Sequence, residues 1–280
     1  MPHPTRFGIQ VPQQNGNWKD ILRLWQEADA LQFDTAWVFD HFLPIFSDPS
    51  GPCLEGWTSL AALAIATKRI RLGVMVTGNT YRHPAILAKM ATTIDIVSEG
   101  RLILGMGSGW FQLEHETYDI EFPKIGDRLI ALDESITLIK QLWTEDRTTF
   151  TGRYHHLRDA PFEPKPIQKP YPPILIGAGG EKIALGIVAR HADMWNTFGT
   201  PETFRKKIQS LEAHCKRIGR DIDDIEKSVL ITTTASADHN TRKLIDDYLR
   251  VGVTHIVFSL PASTEASQLR RFARDISLAP

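Results

Sequence analysis

The chain has only two cysteines in 280 residues, Cys53 and Cys215, far apart in the sequence. That scarcity excludes a disulfide scaffold and a cysteine-built metal centre, and it suits a reducing compartment. Charge of one sign is also lacking: 32 Lys and Arg stand against 33 Asp and Glu, for a net charge of -1 with no basic block. Nothing therefore favours a nucleic acid or another polyanion as partner. No apolar run is long enough to span a bilayer. The opening Met1-Pro2-His3-Pro4-Thr5 leads almost directly into a strand, without an apolar signal segment, so the expected setting is the cytoplasm. His83, His115, His191, His214, His239 and His255 form no metal spacing, and the adjacent His155 and His156 would point apart on a strand. No metal is expected. There is no Gly-x-Ser-x-Gly elbow and no reactive-cysteine context, which argues against nucleophilic hydrolysis. The acid pairs or lysine bases of a hydrolase or isomerase are not evident either.

What is present is ample core material, 42% hydrophobic against 23% charged residues, in a regular alternation. Strands are read at Phe7–Val11, Thr35–Phe39, Ile70–Thr77, Leu102–Met106, Ile174–Ile176, Met194–Asn196, Ser228–Thr234 and His255–Ser259. Helices are read between them. Trp18–Leu31 carries Ile21, Leu22, Leu24, Trp25 and Ala28 at the spacing of one helix face. Pro84 suits the first turn of a helix running to about Ser98. Eight strand–helix units in a chain of this length predict an α/β fold of the (β/α)8 barrel type, one domain over 1–280. The proline-rich segment 143–173 breaks the rhythm. It contains a hairpin around Gly152 and is expected to be an ordered insertion near the C-terminal rim, beside the active site.

Chemistry in such a barrel belongs at the C-terminal ends of the strands. Asp40-His41 ends the second strand there, and read alone it fits either a capping role or catalysis. Gly105-Met106-Gly107-Ser108-Gly109 closes the fourth strand; it is either a tight turn or a place where backbone approaches a flat ligand. Ile176-Gly177-Ala178-Gly179-Gly180 ends the fifth strand and opens a helix, either an ordinary turn or a phosphate cradle. Val74-Met75-Val76-Thr77-Gly78 ends the third strand and is mostly core, with Thr77 able to bond a polar ring edge. Phe46, Trp110, Phe111, Trp195 and Phe198 suggest an apolar pocket on the rim.

Phe39-Asp40-His41-Phe42, Arg71–Thr77, Arg82-His83-Pro84-Ala85, Gly100-Arg101-Leu102, Leu104–Trp110, the Glu114…Tyr118 pair and Pro172–Gly180, in this order and spacing, resemble the luciferase-like superfamily of flavin- and deazaflavin-dependent oxidoreductases. The resemblance runs from about Phe7 to Phe258. It implies FMN or coenzyme F420 bound at the C-terminal strand ends, and Asp-His after the second strand resembles the F420-using branch. His41 would then sit near the reactive ring carbon. Asp40 would touch the ring's polar edge or orient the loop. A non-proline cis peptide would fall at Val74-Met75, supporting the ring face, and Gly177, Ala178, Gly179 and Gly180 would hold the phosphate. Gly107, Ser108 and Gly109 would face the cofactor. Sugar-phosphate dehydrogenase members carry Glu where this chain has Trp110 and Trp where it has Ile45, which speaks against that substrate. Asp119 stands where many members have Gly.

The implied activity is hydride transfer between F420 and a small organic substrate, with catalytic His41 and Asp40, in a homodimer. One alternative is an FMN-dependent monooxygenase that uses O2 and reduced flavin from a partner reductase. Another is a cofactor-binding barrel without turnover.

Overall fold

The computed structural model describes residues 3–276. Strands β1 (Arg6–Gln10), β2 (Thr35–Val38), β3 (Arg71–Val74) with its continuation β4 (Thr77–Gly78), β5 (Leu102–Gly107), β8 (Ile174–Gly177), β9 (Met194–Thr197), β10 (Glu226–Thr232) and β11 (His255–Ser259) form one parallel sheet. Pairing of β3 with β5 and of β1 with β11 closes it into a (β/α)8 barrel. The expected strand over 70–77 is broken after Val74.

Helices α1 (Trp18–Ala30), α2 (Gly56–Ala66), α3 (Pro84–Val97), α5 (Ile125–Thr144), α6 (Ala184–His191), α7 (Pro201–Arg217), α8 (His239–Arg250) and α9 (Ala266–Asp275) surround the barrel, and the short α4 (Gln112–Thr117) follows β5 at the C-terminal mouth. Their starts follow from local chemistry. The Asn17 side chain accepts from Asp20 N at the head of α1, and Thr200 and Asp238 cap α7 and α8 in the same way. Pro84 and Pro201 occupy first turns, where an N–H is not needed. Helix α1 buries Ile21, Leu24, Trp25 and Ala28, as its periodicity predicts.

Two apolar layers result. Inside the barrel, Trp37, Met75, Ile103, Leu175, Met194 and Val257 form a plug. Outside, the opposite faces of the strands pack on the helices, each fully buried aliphatic side chain contributing about 1.5–3 kcal/mol. Arg101 ties the N-terminal end together. Its guanidinium donates to the carbonyls of Ala64, Thr67 and Ile70 at 2.6, 3.1 and 3.0 Å, satisfying the C-terminal end of α2.

The insertion is rooted at the N-terminal end of the barrel, and the tip of its hairpin reaches the C-terminal rim as expected, where Arg153 and Tyr154 meet Asp127 in the first turn of α5 and the rings of His155 and His83 lie 5.5 Å apart. Its hairpin, β6 (Arg147–Thr151) and β7 (His156–Pro161), turns at Gly152 as predicted. The proline-rich arm that follows is pinned by Asp95, whose carboxylate accepts from Ile167 N, Gln168 N and Gln168 Nε2 at 2.8, 3.1 and 2.7 Å. Gln168 also reaches Leu102 O and Arg71, at the N-terminal ends of β5 and β3. The physical reason is connectivity. A helix that returns from the C-terminal rim ends at the N-terminal end, so a segment between α5 and β8 must start there. The hairpin then climbs the outer face of α5, where Glu134 accepts from the backbone N–H groups of Arg153, Tyr154 and His155.

Candidate active site

The C-terminal mouth carries two buried charge networks built on the β2 end. In the first, Asp40 has a fully buried side chain and accepts both arms of the Arg82 fork, at 2.6 and 3.0 Å. Arg82 also donates to Glu55 at 2.7 Å, and Glu55 caps α2 through Trp57 N and Thr58 N. Burial pushes the Asp40 carboxyl up and the Arg82 fork works against that. Burial would lower Arg82, but Asp40 first and then Glu55 outweigh it and hold the guanidinium charged. Asp40 thus ties the end of β2, through Arg82, to the heads of α3 and α2.

In the second network Glu114, on α4, has a fully buried side chain and is saturated with donors. It accepts from Phe42 N at 2.5 Å, Leu43 N at 2.9 Å and the Tyr81 hydroxyl at 2.6 Å, and its Oε2 lies 2.9 Å from His41 Nδ1. Burial would raise this carboxyl. His41 first, then Tyr81 and the backbone N–H groups, reverse the effect and hold it below the usual range. A carboxylate only accepts, so Nδ1 of His41 carries the proton. The other ring nitrogen, Nε2, has no partner among the described residues and is not sealed from the mouth. In neutral His41 it is therefore the basic atom, and in the imidazolium it is the acid. Phe39, Trp110 and Phe111 surround the ring with centroids at 5.0, 5.5 and 5.6 Å.

The break between β3 and β4 forms the third part. The cis peptide is Met75-Val76, one residue later than expected. Met75 N still donates to Val38 O at 2.8 Å, so the ladder survives through Met75 before it breaks. Gln10 Nε2 holds the Met75 carbonyl at 3.0 Å. Val76, which no sequence signal singled out, is the side chain that the break turns toward the strand ends. A Cβ on Gly107 or Gly177 would lie 2.7 or 2.9 Å from its Cγ2. Those two glycines are explained by this approach. Gly109 takes a φ of 76°, where glycine is favoured. Ser108, between them, is half-buried. Val74 packs in the strand–helix layer, Met75 tops the interior plug, and Thr77 is fully buried with its hydroxyl accepting from Trp57 Nε1 at 2.9 Å.

The loop 177–183 forms the fourth part. Trp195 Nε1 donates to Ala178 O at 2.8 Å and Ala178 N donates to Asn196 O at 3.0 Å, which fixes the loop on β9. Trp195 is fully buried in that task, beneath the rim loop and with no exposed face. Among the described residues, the N–H groups of Gly179, Gly180 and Glu181 have no acceptor. Lys207 of α7 stands beside them, donating to Thr197 Oγ1 and Phe198 O at 3.0 Å each. A Cβ on Gly179 would lie 3.2 Å from Lys207 Nζ. Free N–H groups, a missing Cβ and an ammonium fit a phosphate. Burial lowers the Lys207 pKa, a cost that an anion there would offset.

Among the described residues no cluster of His, Cys, Asp and Glu could hold a metal, and no helix is long and apolar enough to cross a membrane. Cys53 donates to His41 O at 3.3 Å, and burial pushes its thiol up to about 12, so it is inert at neutral pH.

Residues 2–275 match the sequence profile of the luciferase-like monooxygenases. The chain belongs to that family. It is 31% identical to an F420-dependent glucose-6-phosphate dehydrogenase from Microbacterium testaceum (strain StLB037), over 86% of this chain and 71% of the relative. Two solved structures share the fold. An F420-dependent secondary alcohol dehydrogenase in complex with an F420-acetone adduct superposes with a TM-score of 0.88 at 20% identity, covering 99% of this chain and 100% of the other. The coenzyme F420-dependent tetrahydromethanopterin reductase from Methanopyrus kandleri gives 0.84 at 18% identity, covering 98% and 99%.

Proposed function

We propose that this member of the family is an F420-dependent oxidoreductase in which His41 moves the proton that accompanies hydride transfer to or from a small organic substrate. The observation that carries the proposal is the Glu114-fixed tautomer of His41, with Nε2 facing the mouth at the strand end where barrel chemistry occurs. Bound F420 supplies a ring carbon that gives or takes a hydride and reacts poorly with oxygen. Gly177, Ala178, Gly179, Gly180 and Lys207 hold its phosphate. Met75 and Val76 support the ring, and the Gly107-Ser108-Gly109 turn leaves room beside it. When an alcohol is oxidised, His41 Nε2 takes the hydroxyl proton; when a carbonyl is reduced, it returns one. Asp40 acts through Arg82 by fixing the loop that carries His41.

A fluorescence titration with F420 and with FMN tests the cofactor. Tight F420 binding with weak FMN binding is expected. Lys207→Met should weaken F420 binding by about 10- to 100-fold, the value of one hydrogen bond to a charged group. The competing reading, an FMN monooxygenase fed by a partner reductase, rests on the family to which the chain belongs. Tight FMN binding and substrate-dependent oxygen consumption would replace the F420 reading with it.

Two further assignments belong to this reading. Cys53 and Cys215 are both free thiols, which supports a reducing setting such as the cytoplasm. Ile65 near the C-terminal end of α2, and Ile86 and Ile130 near the N-terminal ends of α3 and α5, are exposed apolar side chains of the kind a homodimer would cover. Light scattering after gel filtration measures the mass that decides the second.

A further inference from the structure

An open cleft of about 550 Å³ lies at the C-terminal ends of β1, β10 and β11. Its layer is set by register, since Gln10 pairs with Ser259, Ser259 with Thr232, and Gln10 with Trp37 of the His41 strand. Gln14 forms one wall and joins the cleft to the His41 loop. Its side chain accepts from Ile45 N at 2.7 Å. Gln14 also bridges to Cys53, whose thiol donates to His41 O.

The chemistry of the lining is distinctive. Thr232, Thr234 and Ser236 are exposed and Ser259 is half-buried, and their hydroxyls have no hydrogen-bond partner among the described residues. Pro12 and Leu260 add apolar surface. None of the lining residues is a lysine or an arginine, and the one charged side chain is the carboxylate of Asp238. That carboxylate caps α8 by accepting from Thr241 N at 2.8 Å. Backbone and side-chain hydrogen bonds to Thr241 hold it below its usual range, so it is negative at neutral pH. Hydroxyls pair with hydroxyl or carbonyl groups, whereas a phosphate needs cations to offset its desolvation.

We infer that this cleft is the substrate subsite and that it selects an uncharged, hydroxyl- or carbonyl-bearing molecule with an apolar body, and rejects sugar phosphates. The assignment rests on the F420 reading for where reaction occurs, but its binding chemistry is independent of the cofactor.

The test is saturation-transfer NMR on the full chain, with and without F420, using cyclohexanol and cyclohexyl phosphate as matched probes. Cyclohexanol should bind and the phosphate should not. Thr232→Val and Ser259→Ala should each weaken cyclohexanol by about three- to tenfold, the value of one neutral hydrogen bond. Two variants guard against one that fails to fold, and Thr234→Lys should create phosphate binding. Phosphate binding to the unaltered chain, or cyclohexanol affinity indifferent to both hydroxyl variants, would overturn the assignment. If F420 itself does not bind while cyclohexanol follows the variants, the subsite stands and the cofactor reading falls.

Discussion

The two ends of the barrel each hold a histidine beside a buried glutamate, and only one of them is open. At the mouth, His41 Nδ1 lies 2.9 Å from Glu114, and Nε2 is left unpartnered toward the cavity. At the floor, His255 is fully buried, with Nε2 2.8 Å from the Thr35 hydroxyl and Nδ1 3.1 Å from Glu226. The floor pair is close but off the line a hydrogen bond needs, and Arg6 completes it with a 2.7 Å bond to the other Glu226 oxygen. Burial would raise Glu226, and His255 and then Arg6 hold it low. A histidine–carboxylate pair is thus no mark of catalysis by itself. What separates chemistry from architecture here is whether the distal nitrogen has a free edge at the C-terminal strand ends.

The sharpest break in the comparison is in turnover. His41→Ala should lower kcat by about 10²- to 10⁴-fold, as loss of a general acid–base does, while F420 affinity persists. His255→Ala should lower the melting temperature and leave the kcat of the folded protein unchanged. Equal losses of kcat in both variants would erase the distinction between the two ends. Next in size is Glu114→Gln. An amide cannot satisfy four donors as a carboxylate does, so stability should fall by about 1.5–3 kcal/mol in urea titrations near neutral pH. The sign with pH follows from the depressed Glu114 pKa. Its stabilisation is full above the ordinary carboxylate value and is lost as pH falls through the lowered one. The gap between the variant and the parent should therefore close toward acid pH. A constant gap would mean that the charge of Glu114 is not what the network uses.

Glycines sharpen the contrast. Gly107→Ala places a Cβ against the Val76 side chain, and overpacking of this kind costs about 1–3 kcal/mol. Val76→Ala in the same chain should recover most of that, measured as a double-mutant cycle. At the floor, a Cβ on Gly8 meets the Thr35 hydroxyl at 2.0 Å and the Thr35 carbonyl at 3.0 Å, so shrinking one neighbour should not rescue Gly8→Ala.

The sequence made the mouth only partly legible. Alternation of apolar runs located every barrel strand, because a strand buried on both faces reads as an apolar run. Asp40-His41 was visible because ionisable groups rarely end such a run. Arg82 and Glu114 stood out only in the runs that carry the family resemblance, and their pairing was not visible: they lie 42 and 73 positions from Asp40 and His41, and only the fold brings them there. Lys207 belongs to α7, where a lysine reads as a solvated face, yet burial beside Gly179 gives it a direction. The root of the insertion was not visible, because proline content marks irregular backbone and says nothing about where the segment leaves the barrel. The cis peptide fell one residue late because the ladder bond from Met75 N to Val38 O cannot be read from composition. His255 carried no visible signal at all, since its burial depends on Thr35, Glu226 and the bare Gly8.

Thr35→Val gives the smallest effect on turnover and the cleanest statement about the floor. The Thr35 hydroxyl accepts from Trp37 Nε1 at 2.9 Å and faces His255 Nε2 at 2.8 Å. Valine keeps the shape and removes both interactions, leaving two buried ring nitrogens without partners. Such groups cost about 1–3 kcal/mol, so the melting temperature should fall while kcat and F420 affinity hold. Trp37 is the point at which the floor could reach the mouth, because its ring belongs to the same interior plug as Met75. A drop in F420 affinity in Thr35→Val would therefore mean that the plug transmits floor packing to the β3–β4 break. An unchanged affinity would mean that the mouth is held by its own networks, Asp40–Arg82–Glu55 and His41–Glu114–Tyr81, independently of the layer beneath.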